Sequence, residues 1–200
     1  MAAKPKPEEA LLENGLIHDI LDFWFGAPGA DGEFSPREIW WKPDPAHDAE
    51  CAERFGGACA RAASGDLDTW MRTAEGCLAL VLLLDQFPHN IHRGTAGAFA
   101  CDAKARSVAG HALDREFDAD LATAQRLFLY LPFEHSEDIA DQDRAVALIS
   151  ALGSDQWADY AERHRVIIAR FGRFPHCNAI LGRTSTDEEI AFLAEPDSSF

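Results

Sequence analysis

Residues 134–143, EHSEDIADQD, place five acids and one histidine ahead of Arg144. A histidine flanked by carboxylates can act as a general base, so Glu134 and His135 are candidate proton-transfer residues. His176, in the turn Phe174-Pro175-His176, is the third candidate. The complementary charge lies elsewhere in the chain. From Arg163 to Thr186 there are five arginines (163, 165, 170, 173 and 183), His164 and His176, and no acid. Gln86 to Cys101 carries His89, His92 and Arg93, again without an acid. Guanidinium groups donate two parallel hydrogen bonds to a carboxylate or phosphate. Arg93, Arg170, Arg173 and Arg183 are therefore the candidate ligands of a small anionic molecule.

Asp85 sharpens this reading. It ends LALVLLLD, a stretch apolar on every helical face and so expected to be buried all round. An unpaired carboxylate there would cost several kcal/mol or take up a proton. An arginine partner is expected, from Arg93 or the 170–183 segment. Gln142 shares a helical stripe with Ile139, Val146 and Ile149, which turns its amide inward and requires partners, expected from the two Phe-Pro-His turns. His164 falls on the apolar stripe of its own helix and reads as a satisfied core histidine. No metal site is assigned: Glu134, His135 and Asp138 could join His164 or His176 around an ion, but no fixed ligand spacing supports it. His135-Ser136-Glu137 matches the His-x-Glu of zinc deaminases, but the Pro-Cys-x-x-Cys that should follow is missing. Nucleotide-binding glycine loops, the serine nucleophile elbow and His-Glu-x-x-His are absent too, and no cofactor is assigned. A purely structural account stays beside the chemical one, because arginine and histidine near helix C-termini and acids in first turns are ordinary helix grammar.

The chain of 200 residues has 47% hydrophobic and 26% charged residues, which suits one well-cored domain. Its formal charge of −16 argues against nucleic acid and anionic membranes as partners. The apolar run Leu78–Leu84 is far too short to span a bilayer, and the first ten residues have no apolar signal region. Cys51, Cys59, Cys77, Cys101 and Cys177 show no Cys-x-x-Cys spacing, so a cytoplasmic location with reduced thiols is expected.

The elements that must carry these residues read as helices near 10–24, 36–41, 45–63, 73–86, 96–113, 119–131, 137–151, 155–171 and 187–194. Ser35-Pro36-Arg37-Glu38 and Thr186-Asp187-Glu188-Glu189 are capping-box patterns, Asp44-Pro45 opens another helix, and Ser154 and Ser136 suit N-caps. No period-two strand is readable. The expected fold is all-α, a single-domain array of antiparallel neighbours over 9–195, with loose tails at 1–8 and 196–200. FPHNIHRGT (Phe87 to Thr95) echoes FPHCNAILGRT (Phe174 to Thr184). Each proline is expected to force the residue before it out of helical geometry and stop a helix.

The motifs DFWFG (22–26), WW (40–41), LLLDQFPHNIHRGTAGAFACD (82–102), LPFEHSEDIADQ (131–142) and RFGRFPHCNAILGR (170–183) resemble the bacterial family catalogued as domain of unknown function 924. The resemblance implies an all-helical fold similar to a tetratricopeptide-repeat superhelix, and no activity. It also implies that Asp85, Gln86, Asn90, Arg93, Glu134–Asp138, Gln142, His164, Arg170, Arg173, His176, Asn178 and Arg183 occupy the family's polar positions. The family often carries arginine at the positions of His89 and Cys177, which are left out of the candidate set. The expected function is then a polar pocket where the turns at 85–93, 134–142 and 170–183 converge on a small carboxylate or phosphate compound. Its ligand-binding candidates are Asp85, Gln86, Arg93, Glu137, Gln142, Arg170, Arg173, Asn178 and Arg183. The alternatives are a helical interaction module whose groove takes an acidic or C-terminal peptide, and an ion-pair network that only holds the fold. The oligomeric state is not legible.

Overall fold

Helix-capping chemistry sets the boundaries of most elements. The computed structural model describes residues 7–196 and 198, and the side chains from residue 12 onward. The expected tail residues 1–6, 197, 199 and 200 lie outside that set. Among the described residues nine α-helices follow in order: α1 Pro7–Phe25, α2 Pro45–Ser64, α3 Ala74–Val81, α4 Phe87–Ile91, α5 Asp102–Asp114, α6 Thr123–Glu134, α7 Ile139–Ser150, α8 Asp155–Phe171 and α9 Asp187–Leu193. No strand occurs among the described residues. The fold is all-α.

Asp44 caps α2 by accepting from the Ala46 and His47 amides, with Pro45 preset for the first turn. Ser154 caps α8 and Thr186 with Glu189 forms the capping box of α9. Gly172 ends α8 at φ 69°, the left-handed conformation that glycine takes without penalty. Two expected caps differ. Ser35 opens no α-helix, since only a single 3₁₀ turn, Glu38–Trp40, follows it. For α7 the cap is Asp138, accepting from Ala140 N, while Ser136 Oγ accepts from the Asp138 amide just outside the helix.

The two prolines of the repeated motif act differently. Phe87 keeps helical angles, φ −65° and ψ −42°, and the helix runs on through Pro88 to Ile91. The reason lies one turn earlier, at Leu82–Gln86, where the chain widens to π geometry and the Phe87 amide bonds to Leu82 O, five residues back. The wide turn comes just before Pro88, whose ring and missing N–H would spoil an ordinary bond to Leu84. Phe174, by contrast, is extended at ψ 107° as expected of a residue before proline, but Gly172 has already ended the helix there. Pro132 is also carried inside a helix, α6, which extends to Glu134.

The main core joins α1, α2, α3, α5 and α6. Leu78 to Leu84 are fully buried, and Phe128 meets Trp24, Phe25 and Trp40 at ring distances of 5.4, 5.5 and 5.0 Å. A smaller apolar cluster of Ile167, Ile168, Phe174 and Cys177, with Phe99, Phe171 and Phe192 against it, ties α8 and α9 to the 174–177 turn. α7 packs on both α6 and α8.

Candidate functional site

The π turn presents Asp85 to the end of α6. Asp85 is fully buried; its Oδ1 accepts from His135 Nδ1 at 2.8 Å and its Oδ2 accepts from Gln86 Nε2 at 2.5 Å. The expected arginine is replaced by a histidine. Arg93 instead reaches away to α2, giving two hydrogen bonds to Asp48 at 3.0 and 3.1 Å and one to Asn90. His135 caps the end of α6, so its ring meets Asp85 without a long flexible stem, which suits a closed apolar setting better than a guanidinium would. Burial opposes the charged form of His135, but the Asp85 carboxylate outweighs it and pushes the pKa up to about 9. For Asp85 burial pulls upward, and His135, with His89 and the Gln86 amide, pulls it below the ordinary carboxylate value.

Glu134, 5% exposed, faces inward beside this pair, and burial raises its pKa to about 7 against the pull of His135. Its Oε1 lies 3.4 Å from His164 Nδ1, which donates to Tyr160 O at 2.8 Å. Burial holds His164 neutral, its pKa lowered to about 3. It is the satisfied core histidine expected. Gln142 is buried on α7, but its partners are the backbone carbonyls of Glu134, at 2.5 Å, and Ser136, at 2.7 Å, rather than the proline turns. That amide fixes the bend between α6 and α7, and so the placement of His135.

The bend's far side holds the second group. Glu137 accepts from the Phe174 amide at 2.8 Å and from both terminal nitrogens of Arg183 at 2.7 and 2.9 Å. Arg183 also donates to Asn178 Oδ1 at 2.9 Å. Asn178 in turn donates to Ser185 Oγ and Glu189 Oε2. Arg173 grips Glu189 through two bonds of 2.6 and 2.8 Å. Arg170 pairs with Glu188 on the surface and stacks over Phe171. Burial lowers the pKa of His176, whose ring lies 5.6 Å from that of Phe174.

Asp85, Gln86, Glu134 and His135 thus form one cluster. Glu137, Arg173, Asn178 and Arg183 form another, joined to the first through residues 134–138. Arg93 and Arg170 belong to neither. Three residues in or beside these clusters went unmarked as site residues in the sequence: His89, Asp102 and Glu189. His89 Nε2 stands 3.6 Å from Asp102 Oδ1 and its ring 5.0 Å from that of His135. The available signals were Asp102's position at the end of the acid-free segment and the capping box that names Glu189. Two surface depressions, one lined by Leu12, Glu13, Leu16 and Arg61 and the other by residues 29–31 and 33–36, share no residue with the site.

Among the described residues no helix is long and apolar enough to cross a membrane. No curated protein matches the chain. A solved structure of a protein of unknown function from Agrobacterium tumefaciens is similar to it, with 44% sequence identity over 90% of this chain and 98% of that one and a TM-score of 0.82. Residues 20–197 match the family model described as bacterial protein of unknown function, DUF924. With nearly its whole length matched by that model, the chain belongs to the DUF924 family.

Proposed function

We propose that the chain binds a small anionic compound, a carboxylate or phosphate, at the mouth of the Asp85 cluster. The observation that carries this reading is the meeting of two segments distant in sequence, 85–89 and 134–137, around a histidine that one side leaves open, with 174–183 held to the far side of the same bend through Glu137. The His135 side chain is 21% exposed and that of His89 24%, while Asp85 behind them is wholly covered. A carboxylate behind an imidazole fixes its orientation and tautomer and leaves the other ring nitrogen for a ligand. His135 is the proton-transfer candidate if a reaction occurs, with Glu134 and His176 beside the same bend.

The arginines take a different part from the one their charge suggests. Arg173 and Arg183 are each held by two bonds to a carboxylate. In this reading Arg183 latches the 174–183 segment against the bend, Arg173 secures α9 to the end of α8, and the histidines meet the ligand. The same pairing favours a second reading, a network that only holds the fold, because Arg93, Arg170, Arg173 and Arg183 each have a carboxylate partner.

Thermal unfolding with inorganic phosphate and a panel of small mono- and dicarboxylates separates the two. A ligand at a hundred times its dissociation constant stabilises by about 2.7 kcal/mol. The binding reading expects such a shift in the wild type and in Arg170→Ala, and its loss in His135→Gln. Equal behaviour of wild type and His135→Gln across the panel would leave only the structural network.

A further inference from the structure

We propose that Asp85, His89 and His135 bind a divalent transition-metal ion. The inference rests on the reading above, that this cluster is the functional site, and names what would hold the anion there. One ligand atom from each of the three residues lies within 4.8 Å of the other two. Two nitrogens and one carboxylate oxygen are a donor set suited to zinc or ferrous iron, with positions left over for an outside ligand. Atoms bound to one ion at about 2.1 Å stand about 3.0–3.4 Å apart. Asp85 Oδ1 and His135 Nδ1 are 2.8 Å apart, so that pair needs almost no rearrangement, and His89, within 4.8 Å of both, has the remaining distance to close.

The surroundings add two independent observations. His89 Nε2 and Asp102 Oδ1 face each other across 3.6 Å, both are shut off from water, and neither has a hydrogen-bond partner. Buried polar atoms are rarely left so. A metal-bound histidine commonly turns its other nitrogen to a carboxylate, which makes Asp102 the residue that positions His89. The π turn is the second. Asp85 lies within it and His89 one turn beyond, so both project from the same stretch, and local π geometry in helices is frequently found at functional sites. The fully buried Leu82, Leu83, Leu84 and Phe87 give the dry shell that strengthens coordination, while the partly open histidines give an entry path.

Calorimetric titration of chelator-treated protein with Zn²⁺, together with visible absorption of the Co²⁺ form, tests the proposal. One equivalent of Zn²⁺ per chain is expected, with Co²⁺ bands of a low-symmetry nitrogen–oxygen site. His89→Arg, which sets a guanidinium beside Asp85 in place of the ion and so keeps the fold, abolishes both signals. Asp102→Asn weakens Zn²⁺ binding by about 10- to 100-fold. No stoichiometric binding by the wild type, or binding that survives in His89→Arg, overturns the metal site. If Zn²⁺ fails to bind while phosphate or a carboxylate still stabilises the wild type and not His135→Gln, the metal falls and the anion site stands. If Zn²⁺ binds as expected and no anion does, the reverse holds.

Discussion

At the scale of single residues, burial decides protonation. His164 is 7% exposed, and burial, working against its bond to the Tyr160 carbonyl, makes the neutral form the folded one. Its pKa falls from 6.5 to about 3, so the unfolded chain binds the extra proton first. The stability it supplies is complete above pH 6.5 and is lost as the pH falls towards 3. Urea unfolding of wild type and His164→Asn across that window checks this, and the variant is expected to have the flatter profile. Asp85 teaches a related lesson. That it is buried and charged was legible from the apolar run before it. That histidine, rather than arginine, answers it was not, because fifty residues separate the pair and no spacing rule links them. Charge type can be inferred from one side chain's surroundings, whereas the partner's identity depends on the packing of whole helices.

At the scale of elements, backbone constraints dominate. A Cβ at Gly76 would lie 2.1 Å from Trp70 O, backbone that cannot move aside, so Gly76→Ala is expected to cost about 1–3 kcal/mol by overpacking. At Gly172 the space is open and only the φ of 69° resists, so Gly172→Ala should cost about 1 kcal/mol. Denaturant midpoints of the two variants test that order. α9 is held chiefly by Glu189, which accepts from Arg173, Asn178 and the Thr186 amide. The Arg173 bonds, then the Thr186 amide, depress its pKa from 4.5 to about 2. The stability it gives is therefore present above pH 4.5 and lost as the pH falls towards 2. Glu189→Gln is expected to speed hydrogen exchange in α9 at neutral pH and to remove the dependence on pH within that window. Caps at Asp44, Ser154 and Thr186 were readable because capping is local chemistry. The π turn was not, since the phenylalanine of the same Phe-Pro-His triplet is helical after Gln86 and extended after Arg173, and only the preceding turn distinguishes them.

At the scale of the molecule, a net charge of −16 leaves few cations, and the structure uses them to bind segments together. Arg93 ties the segment after α4 to α2, Arg183 ties the 174–183 segment to the α6–α7 bend, and Arg173 ties α9 to the end of α8. The proposed anion site stands behind that framework, on the contact between the π turn and the end of α6. A double-mutant cycle on Asp85→Asn and His135→Gln measures that contact directly. Each single change leaves a buried polar group without its partner and is expected to cost about 3 kcal/mol. The double variant should cost little more than either, giving a coupling of about 2 kcal/mol or above. Costs that add to within about 0.5 kcal/mol would mean that the two side chains do not act together and that the site is not built on them.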